Sequence, residues 1–101
     1  MSITLSDMDF TAFEARAADA AKLLKALANE RRLTILCKLI EAGEMNVSRL
    51  SEAVGLSQSA LSQHLAKMRE ENLVAFRREA QTLFYRVSDP NVARLLSTLK
   101  S

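Results

Sequence analysis

The chain has 101 residues, 49% of them hydrophobic and 26% charged, with a formal net charge of +2. That length leaves room for one domain and favours association, because a short chain buries a smaller share of its surface than a long one; a single cysteine excludes an internal disulfide framework and suits a reducing cytoplasm. From Glu44 onward there are eight Lys or Arg against six Asp or Glu, with six of each before it, so steering of an anionic partner rests on local placement.

The opening MSITLSDMDF has neither a basic n-region nor an apolar h-region, and no uncharged apolar stretch approaches membrane length. A soluble cytoplasmic protein with no membrane partner is expected. Two glycines and one proline leave helix as the default. Phe10, Phe13, Ala17, Ala20, Leu24 and Leu27 recur at 3-4-3-4-3 spacing, the seam of a helix over 10–28 that packs lengthwise on another. A second helix, 30–42, carries Leu33, Leu36, Cys37 and Ile40 on one stripe with Ile35 and Leu39 beside it, and stops at Gly43. So apolar a helix belongs at the centre. Within its stripe Cys37 reads as a small apolar filler.

A helix-turn-helix is expected over 47–71. Leu50 and Val54 stand four apart, Gly55 supplies the left-handed residue that ends the first helix, Leu56 opens the turn, and Ser57 caps the second helix. At about 100° per residue Leu61, Leu65 and Met68 share the buried face and leave Ser59, Ser62, Gln63 and Ala66 opposite. Those side chains are short and uncharged, as base reading at close range in a major groove requires, whereas an ordinary solvated face carries Lys and Glu. Gln58 lies about 60° from the core centre, at the edge of the groove face. His64 flanks the apolar stripe and is expected to pack there, since no second His, activated nucleophile or acid pair accompanies it.

The β-prone runs 74–78 and 82–87, separated by Glu79, Ala80 and Gln81, read as a hairpin. Alternation puts Leu83, Tyr85 and Val87 on one face and Phe84 and Arg86 on the other, with Arg77 and Arg78 flanking the tip. An Arg-bearing hairpin directly after a recognition helix is the wing of a winged helix, able to meet phosphates or a narrow minor groove. Ser88 and Asp89 then precede Pro90, and Val92, Leu95, Leu96 and Leu99 form the stripe of a closing helix over 89–101.

Both terminal helices carry apolar stripes that a chain of this size would struggle to cover alone. The expectation is a homodimer whose seam uses 10–28 and 89–101, presenting two recognition helices to an inverted-repeat operator of double-stranded DNA. The fold class follows: mostly α with a β-hairpin wing (α+β), a winged helix-turn-helix of five helices in one domain over 1–101.

The segments ANERRLTILCKL, LSQSALSQHLAKMREENLV and RREAQTLFYRV resemble the ArsR/SmtB family of dimeric winged-helix repressors over nearly the whole chain, nearest the branch of NolR, HlyU and BigR. The resemblance implies a bacterial regulator that binds an operator, with Gln58, Ser59, Ser62 and Gln63 at base-reading positions. Backbone and wing contacts are assigned to Ser57, Lys67, Arg69, Arg77, Arg78, Gln81, Arg86 and Arg31. Arg32 stands at the family's Arg-Leu position as a structural ion-pair partner. The family's thiolate motif ELCVCD corresponds here to Glu44–Arg49, which lacks both cysteines, and the last helix has no His. One Cys and one His cannot build a typical soft-metal site, so no metal, no cofactor and no metal sensing are expected. In the resembling branch a cysteine at the ILC position pairs with a second near the chain's end. Here that second cysteine is absent, which leaves Cys37, if accessible, as a solitary redox or persulfide switch. No enzyme activity is expected, and Gly43 and Gly55 build no phosphate-cradling loop. The alternative function is a winged helix serving only as a protein interaction module.

Overall fold

The structure, a computed structural model, describes residues 10–100. In chain order it contains α1 (Thr11–Ala15), α2 (Ala17–Leu27), α3 (Glu30–Ala42), β1 (Met45–Asn46), α4 (Val47–Val54), α5 (Gln58–Glu70), β2 (Val74–Glu79), β3 (Thr82–Val87) and α6 (Pro90–Leu99). The helix expected over 10–28 is in two pieces, so the described residues hold six helices rather than five. At the break, Arg16 leaves helical geometry and its N–H reaches back only to the Phe13 carbonyl, the shorter bond of a tight turn.

Helix α3 is the hub. Asn29 caps it, its side chain accepting from the Arg32 N–H at 3.1 Å, and Gly43 ends it at φ 83°. Its buried line is Arg32, Ile35, Leu36 and Leu39, while Leu33 and Ile40 are half-buried. Cys37 lies on the far side and is exposed. The stripe expected from the sequence is therefore rotated: Ile35 and Leu39 are at its centre, and Cys37 fills no part of the core. The rotation follows from Arg32, whose charge hides the true start of the buried line and whose ion pair makes its burial tolerable.

Around α3 the core is completed by Leu27, Leu50, Leu61, Leu65, Met68, Leu73, Val74, Tyr85, Val92 and Leu96. The sheet is antiparallel with order β1-β3-β2. Strand β2 runs one residue further than expected, pairing Glu79 with Thr82, so the tip is the two-residue turn Ala80–Gln81 with Ala80 at φ 56°. Strand β1, too short to show a period in the sequence, pairs Met45 with Tyr85 and Asn46 with Phe84. Helix α6 begins as expected, with Asp89 as cap and Pro90 in the first turn, and buries Val92 and Leu96. The molecule is elongated, 52 × 27 × 23 Å. Among the described residues the exposed large apolar side chains, Phe10, Phe13, Leu24 and Leu99, lie on or beside the terminal helices. No helix among the described residues is long and apolar enough to cross a membrane.

Candidate nucleic-acid interface

Two capped helices and a tight turn build the helix-turn-helix. Asn46 starts α4, its side-chain oxygen accepting from the Arg49 N–H at 2.8 Å, and Gly55 ends it in the left-handed region at φ 69°. The Leu56 N–H returns to the Ser51 carbonyl, and the Ser57 hydroxyl accepts from the Ala60 N–H at 3.1 Å to start α5. The expected register is thus observed residue by residue. Leu61, Leu65 and Met68 are fully buried, which turns Ser59, Ser62, Gln63 and Ala66 outward, all exposed. Gln58, the first residue of α5, is exposed as well. The result is an outer surface with hydroxyl and amide groups and no acid until Glu70, able to exchange hydrogen bonds with base edges. His64, half-buried, flanks the packed face as expected.

The cations divide into free and engaged ones. Arg31, exposed in the first turn of α3, lines a small cleft with Val54 and Leu56 and so stands beside the helix-turn-helix turn. Lys67 is exposed on α5. Arg69, also on α5, lays its guanidinium 4.5 Å over the ring of Phe76, which itself stacks obliquely on Tyr85; this joins the end of α5 to the wing. Arg78 and Gln81 are exposed at the outer end of the hairpin.

Arg77, expected beside the tip as a wing contact, has its guanidinium occupied by carboxylates. Its Nε and one terminal nitrogen donate to Glu44, the shortest contact being 2.6 Å, and the other terminal nitrogen donates to Glu79 at 2.8 Å. It also lies 4.5 Å over the ring of Phe84. Hydrogen bonding by Arg77 holds the Glu44 carboxyl below the usual carboxylate range, and the two carboxylates raise the guanidinium in turn. Arg86, exposed on the same face of the sheet, adds to the field on Glu44. Glu44 was singled out in the sequence only as part of a missing metal motif; its role as a partner of the wing had no local signal. Arg32 behaves as expected, donating to the Glu71 carboxylate and to the Ala26 carbonyl, each at 3.0 Å. Among the described residues no cluster of His, Cys, Asp or Glu has the makings of a metal site.

Residues 29–75 match the family described as bacterial regulatory protein, arsR family. The chain is 50% identical over 92 residues to the transcriptional activator HlyU of Vibrio cholerae serotype O1, covering 91% of this chain and 84% of that protein. The structure of reduced HlyU from Vibrio cholerae superposes with a TM-score of 0.79 at 51% identity, over 87% of this chain and 92% of the other. The transcriptional repressor BigR from Xylella fastidiosa superposes with a TM-score of 0.84 at 38% identity, over 91% and 93%.

Proposed function

This chain belongs to the ArsR family of bacterial regulatory proteins, and from that membership we propose that it is a homodimeric transcriptional regulator that binds an inverted-repeat DNA operator. The observation that carries this reading is the outward, uncharged face of α5, framed by a capped α4 and a wing. Ser59, Ser62 and Gln63 read bases, Gln58 works at the groove edge, and the N-terminal end of α5 with Ser57 approaches a phosphate. Arg31, Lys67, Arg69, Arg78, Gln81 and Arg86 hold the backbone. Exposed Phe10, Phe13, Leu24 and Leu99 support a two-chain seam. Bound across a promoter such a dimer represses, which is the assigned role; HlyU and BigR carry the names of an activator and a repressor.

The test is an in vitro selection of duplexes from a random-sequence pool by the purified chain. Recovery of a palindrome bound in a salt-dependent way supports the regulator, and no enrichment leaves the interaction module as the better reading. On the recovered palindrome, Gln63→Ala relaxes base preference at one position of each half-site, whereas Lys67→Ala weakens all sequences alike and shrinks the salt slope by about one unit. Cys37, exposed on α3, is the residue through which oxidation or persulfide formation would act, and HlyU has been solved in a form named as reduced. Equal loss of operator affinity by wild type and Cys37→Ser after peroxide or polysulfide treatment would end that part of the proposal.

A further inference from the structure

Arg77 spans the whole sheet. It leaves β2, passes over the Phe84 ring of β3, and reaches Glu44, which lies beyond the opposite edge just before β1. Strand β1 contains only Met45 and Asn46, and Asn46 is also the cap that starts α4. The hairpin's backbone tie to the start of the helix-turn-helix is therefore two residues long. A guanidinium fork bonded to Glu44 through two of its nitrogens, and to Glu79 through the third, adds a directional side-chain staple at that joint.

Electrostatics argue against a second role for Arg77 at a phosphate. Its single positive charge faces two carboxylates, and with Arg86 included the four charges of this face sum to zero. Phe84 covers one side of the guanidinium. The opposite face of the hairpin offers Arg78 without a carboxylate partner among the described salt bridges, next to the tip residue Gln81.

We infer that Arg77 is a positioning residue of the DNA interface: with Glu44 and Phe84 it sets the angle of the wing on the helix-turn-helix and leaves backbone contact to the other wing residues named above, Arg78 and Gln81 at the tip first among them. This rests on the DNA-binding reading above. Its distinctive consequence is one of sign. Removing an acid near DNA ordinarily tightens binding, but removing Glu44 weakens it because the wing loses its setting.

The experiment uses the full chain and the duplex selected by the wild type, titrated at several salt concentrations, with thermal unfolding of each variant as a control. Glu44→Gln and Arg77→Lys each lower affinity about three- to ten-fold, since lysine keeps the charge and loses the fork. The pair Glu44→Gln with Arg77→Ala binds no worse than Arg77→Ala alone. Arg78→Ala, but not Arg77→Ala, shrinks the salt slope by about one unit. In Glu44→Gln, amide exchange speeds up in β2 and β3 and stays unchanged in α5, a readout that needs no DNA. Tighter or unchanged binding by Glu44→Gln overturns the inference, as does a reduced slope in Arg77→Ala. Should Arg77→Ala fail to fold, the sign of the Glu44→Gln effect and the Arg77→Lys measurement still decide. If the wild type binds no duplex, the DNA reading falls and takes this inference with it, an outcome told apart from failure of the staple by the wild-type titration alone.

Discussion

Arg32 is one of the two buried polar residues among those described, and its burial is bearable only because Glu71 and the Ala26 carbonyl meet its guanidinium. Arg32→Ala removes those charge-assisted bonds and leaves their acceptors half-covered, so it is expected to lower unfolding free energy by about 2–3 kcal/mol in urea titration. Glu44 gives a pH prediction. Its folded carboxyl titrates below its ordinary value of 4.5, so the stabilisation is present above that value and is lost as pH falls through the lowered one. The difference in urea midpoint between wild type and Glu44→Gln should stay flat from about pH 5 to 8 and close only in stronger acid. Local roles were legible in the sequence where a single residue type does one job: Gly43, Gly55, Ser57 and Asp89 end or start helices as read. The exposure of Cys37 and the pairing of Arg77 with Glu44 were not: the first depends on which side of α3 the rest of the core covers, and the second joins residues 33 apart in the chain.

Among the elements, α5 depends most visibly on its cap. Ser57→Ala removes the acceptor of the Ala60 N–H and is expected to cost about 1 kcal/mol of stability, with fraying confined to the turn that carries Gln58 and Ser59, observable as faster amide exchange there. The helix-turn-helix and the wing were legible because their apolar periods, 3.6 and 2, are carried by consecutive short segments with turn residues between them. Strand β1 was not, since two residues show no period and pair only because β3 is already in place. The hairpin tip is one residue shorter than expected for a related reason: Ala80 holds a positive φ without being glycine, so the turn lacks its usual marker. Nothing in the composition of 10–28 marks the break at Arg16.

For the whole molecule, the terminal helices raise the question of what covers Phe13, Leu24 and Leu99, which are 53%, 55% and 67% exposed. Full burial of a side chain of this size contributes roughly 1.5–3 kcal/mol, and covering the part of each that is still exposed would contribute the corresponding share. Sedimentation equilibrium is expected to give twice the chain mass for the wild type and the single mass for Leu24→Glu, which should also lose tight binding to a palindrome while keeping weak binding to a half-site. The exposed cysteine has a practical consequence at this scale. The chain holds one thiol, on the outer side of the central helix α3. A nitroxide attached there marks each chain once, so a two-fold pair yields a single electron–electron distance, and any change in the spacing of the two protomers on DNA becomes measurable with no engineered label site.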